Sequence, residues 1–389
     1  MGIHYCIFTT SGENKVLDLV SPNILPQKYR DCVYDLFRSL SMPLQLVATQ
    51  YEHEILLKLA STKDVDDVVK LFQQLPLTGS GSTMYISLGI HKLIALWKSG
   101  WLSSQQHQEG WYQIQVYSDL LDSIFLLDKH YVTKRTECHA STIKHLKRIG
   151  KIDAKTPEVK VDLIIFDHQH GDIFTCEDKP SGTSSKDIRG DVQKGARLRE
   201  SRLKYLREIL PKSDMITDLE VLSAQTHGLS LTIYGSKMTE NGTIVHYQKT
   251  KAIIPPNPTH HMHQAAHFLL TVLSLQRAVI LNLRKLEIIF EAFDQDALYY
   301  LSSGPECFSS NIFSRSDSDV DSSDSEDDNK PSDVHKDNDA GEQDWMSHEK
   351  DRRIREYINK KIENLVFNNN EYLDSSNWED FVGKDSNTT

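Results

Sequence analysis

Val161-Asp162-Leu163-Ile164-Ile165-Phe166, followed after a short polar stretch by Cys176-Glu177-Asp178-Lys179, decides how this chain is read. Residues 161–167 are β-branched or apolar enough for a strand, and Ile173–Lys179 reads as a second, with His168-Gln169-His170-Gly171 as the turn between them. In an antiparallel hairpin closed by that turn, facing positions sum to about 340, so Asp162 meets the stretch Glu177 to Lys179. Side chains alternate between the two faces of a strand. Glu177 and Lys179 therefore share one face and Asp178 points to the other, leaving two carboxylates and an ammonium in one small patch.

Such a patch has a chemical use. Hard cations such as Mg²⁺ are held by one or two carboxylates together with waters and phosphate oxygens, and a neighbouring lysine can orient an attacking water. Asp162 and Glu177-x-Lys179 resemble the signature of the PD-(D/E)xK nuclease superfamily, whose fold is restriction-endonuclease-like. The resemblance implies an α/β protein with an αβββαβ core, a mixed sheet flanked by helices. It also implies metal ligation by Asp162 and Glu177, with Mg²⁺ or Mn²⁺ as cofactor, and a water served by Lys179. The expected activity is hydrolysis of nucleic-acid phosphodiesters, foremost DNA. In the family an additional glutamate before the hairpin often joins the site; Glu137 is the candidate, with Glu109 as the weaker alternative.

More of the chain fits this order. Trp111, Ile114, Tyr117, Leu120, Leu121, Ile124 and Phe125 recur at helical spacing, which suits a first core helix over Glu109–Leu127. After the hairpin, a helix over Asp187–Leu210 and its flanks carries nine bases against four acids between Lys186 and Lys212, a net +5. Arg189, Lys194 and Arg197 are its candidate phosphate contacts, acting through charge rather than base readout; the plain alternative is a solvated helix face. Strands at Leu219–Gln225, Leu229–Tyr234 and Thr243–Gln248 and a long helix from Thr259 to Phe293 follow. From Trp111 to Phe293 the order is similar to that of uncharacterised nuclease-like proteins of early-diverging fungi, with comparable glutamate, "xDLI" and "ExK" blocks.

Two departures stand out. Val161 occupies the place that the superfamily's name gives to proline. Asp178 occupies a position that usually faces the sheet core with an apolar side chain, so its carboxylate must be solvated, paired or protonated. With the strand shifted by one residue, Asp178 would become the ligand and Lys179 would face away.

At 389 residues and 39% hydrophobic content the chain can bury a sizeable core. Its net charge of −11 looks unfavourable for nucleic acid, but Arg315–Asp344 holds twelve acids against three bases. That segment accounts for −9 and leaves −2 for the remainder, so the basic helix can still meet phosphates. Cys6, Cys32, Cys138, Cys176 and Cys307 form no C-x-x-C pair, which fits a reducing compartment and neither a disulfide framework nor a zinc site. Met1–Ser11 lacks the pattern of a secretory signal, and the apolar runs, such as Phe268–Leu275, are too short and interrupted for a bilayer span. An intracellular protein, nuclear or cytoplasmic, without membrane association is expected.

The expected organisation is an N-terminal folded extension over 1–83, the nuclease-like domain over 84–310, an acidic Ser/Asp-rich linker over 311–344 and a weakly helical tail over 345–389. The linker cannot bury enough apolar surface to offset its ordering entropy and is expected to be disordered. The tail, with aromatics among acids between Tyr372 and Phe381, offers a docking segment for a protein partner. His260, His261, His263 and His267 include an i, i+4 pair, but without an adjacent glutamate or a third ligand they read as a polar helix start. Two alternatives remain beside the nuclease: a non-catalytic descendant of the same fold that binds nucleic acid or protein, and an interaction protein whose likeness to nucleases is accidental.

Overall fold

The computed structural model describes residues 42–73, 81–103, 107–128, 130–302, 340–367 and 372–374, plus two short strands near the N-terminus. The Ser/Asp run as far as residue 339 and its expected disorder lie outside the described residues. So do residues 375–389 and the apolar stretch at Val33–Leu40.

In chain order the elements are β1 (Phe8–Thr9), β2 (Val16–Leu17), β3 (Val47–Thr49), α1 (Gln50–Ser61), α2 (Val65–Phe72) and α3 (Gly81–Lys98). Next come α4 (Glu109–Tyr112), which continues as a π-helical stretch Gln113–Asp122 into α5 (Ser123–Leu126), then β4 (Tyr131–His139), α6 (Ser141–Arg148), β5 (Lys160–Asp167) and β6 (Gly171–Lys179). They are followed by α7 (Ser185–Ile209), β7 (Val221–His227), β8 (Ser230–Met238), β9 (Ile244–Ile253), α8 (Met262–Ser302), α9 (Ala340–Phe367) and β10 (Tyr372–Asp374). Two compact units result: residues 1–287 with 365–389, and residues 288–364.

The first unit is built on a mixed sheet in the order β4-β5-β6-β7-β8-β9. All neighbours are antiparallel except β6 and β7, which run parallel. A parallel neighbour requires a crossover, and α7 supplies it. The hairpin pairs Leu163 with Cys176, Ile164 with Thr175 and Ile165 with Phe174, so facing positions sum to 339 and the expected register is found.

Helices flank both faces. Leu163, Ile165, Phe174 and Cys176 join a core with Tyr85 and Ile90 of α3, Val116 and Tyr117 of the π-helical stretch, and Phe268 and Leu269 of α8. Ile164 packs on the other side against Ile143 of α6 and Leu198 of α7. Leu44, Leu56 and Phe72 belong to the same core as the sheet. Thr49 and Glu52 cap α1 reciprocally, with bonds of 2.7 and 3.3 Å, and Glu52, wholly buried, is clasped by Arg277 of α8 at 2.7 and 2.8 Å. In the second unit, Ile354 and Ile358 form the buried i, i+4 stripe of α9.

Two expectations need correction. Ile114, assigned to the core by its helical spacing, is 65% exposed, while Val116 is buried. The π-helical winding changes the angular step per residue, so a 3.6-residue period misplaces side chains there. Among the described residues one helical segment, Met262–Asp294, is long and apolar enough to cross a membrane. Its Ala265, Ala266, Phe268, Leu269, Leu270 and Leu273 are nevertheless fully buried in the protein core.

Candidate functional site

Asp162, Glu177 and Lys179 gather where the start of β5 and the end of β6 meet the start of α4 and the first half of α7. The Asp162 carboxylate accepts the backbone N–H of Asp178 at 2.9 Å, which ties the first acid to the second strand. Glu177, only 4% exposed, pairs with Lys194 Nζ of α7 at 2.7 Å. Lys179 lies between two further carboxylates, Glu109 Oε2 of α4 at 3.6 Å and Asp191 Oδ2 of α7 at 3.5 Å. Four carboxylates thus surround two ammonium groups.

Electrostatics follow from that crowding. Burial pushes Glu177 up to about 8, aided by Asp162 and Asp191 and opposed by the Lys194 hydrogen bond. Burial also raises Asp162, against the stabilising backbone bond from Asp178, and it raises Glu109, where Asp162 adds to the effect and Lys179 opposes it. Burial alone would lower Lys179, but Asp191, Glu109, Asp162 and Glu177 together raise it, so it stays an ammonium at neutral pH. Among the described residues Glu177 Oε1 is buried without a hydrogen-bond partner.

Asp178 points to the opposite face and is fully buried, as alternation requires. Its charge is met by Arg135 of β4 and by Thr226 Oγ1 of β7 at 2.7 Å. Arg135 is itself held by both oxygens of Asp122, at 2.6 and 2.8 Å, from the end of the π-helical stretch. Of the three fates open to this carboxylate, pairing is the one found, and it leaves Glu177 and Lys179 together on the other face. Burial raises Asp122 to about 6, against the Arg135 hydrogen bonds.

Glu137 falls in the β-bulge between Arg135 and Cys138, and its side chain lies outside the described residues. Glu109, the weaker alternative, is the glutamate seen beside Lys179. Lys194 reaches the carboxylate Glu177. Arg189 and Arg197 are exposed on α7, and Arg189 Nε bonds its own helix at Ser185 O, 3.2 Å away. Two other bases of this helix turn inward. Arg199, 1% exposed, bonds Ser236 Oγ at 2.7 Å and also Ser223, while Arg202 reaches His170 O at 2.5 Å. The net +5 read from α7 therefore overstates what it offers a phosphate backbone. Asp191 was counted only as a charge in the sequence; its spacing of one helical turn from Lys194 was the available signal that both face the sheet end.

No group of three or more His, Cys, Asp or Glu side chains arranged to hold a metal ion occurs among the described residues. Asp162 and Glu177 nevertheless fit a hard divalent cation, which needs only one or two carboxylates when water and substrate phosphate complete its shell. The buried, unpartnered Oε1 of Glu177 is the acceptor such an ion would satisfy. No family model, no curated protein and no solved structure matches the chain.

Proposed function

We propose that this protein is a metal-dependent nuclease with a restriction-endonuclease-like core, hydrolysing phosphodiester bonds of nucleic acid, with DNA as the leading polymer and an intracellular setting. The observation that carries the reading is the joint placement of Asp162, at the start of β5, with Glu177 and Lys179, at the end of the paired β6, on one face beside Glu109. The order helix, β4, α6, β5, β6, α7, β7 supports it, because apart from the short insertion α6 it follows the αβββαβ sequence that the resemblance implies.

Asp162 and Glu177 would hold Mg²⁺ or Mn²⁺. When bound, such an ion supplies charge stabilisation at the phosphate and a more acidic water. Lys179 is kept as an ammonium by its carboxylate neighbours, so it donates hydrogen bonds and positions a water or a phosphate oxygen; it does not remove a proton in this state. Lys194 donates a hydrogen bond to Glu177 Oε2 while no cation is bound. Arg189 and Arg197, exposed on α7, would meet the substrate backbone.

That same Lys194 contact favours a second reading. An ammonium that satisfies one oxygen of Glu177 without metal is what a non-catalytic nucleic-acid- or protein-binding descendant of the fold would retain. Calorimetric titration with Mn²⁺ separates the two. The nuclease reading predicts binding heat that is lost in Asp162→Ala and Glu177→Gln, whereas no heat with the wild type would leave the binding module as the better account.

A further inference from the structure

Beside the carboxylate and lysine cluster lies a group of aromatic rings that the hydrolytic chemistry does not use. The His107 ring stacks on Trp111 with centroids 3.6 Å apart and planes 14° from parallel. Trp101 tilts against His107 at 5.9 Å, and its backbone carbonyl lies 2.9 Å from His107 Nε2. Tyr112 meets Trp111 edge-on at 5.2 Å. The turn bearing Trp101 is anchored at both ends, by Trp97 Nε1 donating to Pro255 O at 2.9 Å and Ser103 Oγ donating to Pro256 O at 3.1 Å. Trp101 is 55% exposed although its side chain is among the largest apolar ones available for burial.

The group is joined to the candidate site through Tyr112. Tyr112 follows Glu109 by three residues, so the two share a helix face. Its hydroxyl lies 2.8 Å from Ser181 Oγ, and Ser181 follows Lys179 by a single proline. An anchored, partly exposed indole tilted against an imidazole that itself stacks on a second indole, linked to the lysine's strand end through Tyr112 and Ser181, matches the aromatic surfaces on which unpaired bases stack.

We infer that Trp101, with His107 and Trp111 behind it, is a stacking site for an unpaired nucleobase next to the scissile phosphate, so that the preferred polymer is single-stranded or frayed nucleic acid. A base inside a duplex has both faces covered by its neighbours, whereas an unpaired base offers a free face to the indole. This inference rests on the nuclease reading and extends it to the substrate's strandedness.

The test is fluorescence anisotropy with the full chain in EDTA, using a labelled single-stranded oligonucleotide, the matching duplex, and a strand of equal length carrying abasic sites. Wild type should bind the single strand more tightly than the duplex. Trp101→Ala should weaken single-strand binding by about tenfold, a typical loss for one stacked base, and leave the abasic strand unaffected. Trp101→Phe should keep most of the affinity. Equal binding by wild type and Trp101→Ala, or an equal loss on the abasic strand, would overturn the stacking site alone. Failure of the wild type to bind any of the three would overturn the nucleic-acid reading with it.

Discussion

Replacing Glu177 by glutamine should make the metal-free protein more stable. Glu177 is 4% exposed, its Oε1 lacks a hydrogen-bond partner among the described residues, and burial first, then Asp162 and Asp191, raises it from 4.5 to about 8 despite Lys194. A carboxyl whose folded pKa lies above its unfolded value contributes stability that is complete below the unfolded pKa and is lost as pH rises through the folded one. At about 1.4 kcal/mol per unit, the span from 4.5 to pH 7 corresponds to a loss on the order of 3 kcal/mol for the wild type, whose unfolded state ionises over that range while the folded carboxyl keeps its proton. Glutamine mimics the protonated acid and escapes that loss.

Urea unfolding in EDTA at pH 5, 7 and 8 should therefore show Glu177→Gln gaining on wild type as pH rises, with a difference of less than about 1 kcal/mol at pH 5. Saturating Mn²⁺ should remove most of the difference at pH 7. A ligand at 100 times its dissociation constant stabilises by about 2.7 kcal/mol, and the variant lacks the charge to hold it. A Glu177→Gln protein that is no more stable than wild type at pH 8 without metal would refute the reasoning, because the buried carboxylate would then carry no electrostatic cost.

Other outcomes follow from the same structure. Arg135→Ala leaves Asp122 and Asp178, 5% and 0% exposed at their side chains, without their shared cation, and should cost about 3–5 kcal/mol in urea unfolding. Lys179→Ala should abolish Mg²⁺-dependent cleavage while shifting the unfolding free energy by less than about 1 kcal/mol, since its ion pairs are partly solvated; a variant that keeps cleaving would remove Lys179 from the site. Gly235→Ala would press a methyl group into Glu220 Oε1, an oxygen pinned by Lys249 at 2.7 Å, and bring it 2.8 Å from the Tyr247 ring. A loss of about 1–3 kcal/mol is expected on thermal or urea unfolding.

The hairpin was legible because two strong signals coincided: a run of β-branched residues on each side and a polar turn ending in Gly171, which adopts φ +75°. Once the turn is placed, the two-residue period of a strand assigns Glu177, Asp178 and Lys179 to their faces without further information. What covers Asp178 was not legible, because Arg135 lies 43 residues away and meets it only through sheet pairing. The inward arginines of α7 were partly readable, since Arg199 with Leu203 and Arg202 with Leu206 repeat at i, i+4, but charge counting hides that stripe. The π-helical stretch defeated the periodic reading of Ile114. The bulge in β4 likewise breaks the alternation that a reading of Glu137 would need.

The most direct measurement is a time course of labelled single- and double-stranded DNA and RNA with Mg²⁺ or Mn²⁺, comparing wild type with Asp162→Ala under conditions where both are folded. The account predicts metal-dependent cleavage by the wild type that stops on adding EDTA and is absent in Asp162→Ala. Cleavage that survives in Asp162→Ala, or a wild type that cuts none of these polymers, would contradict it.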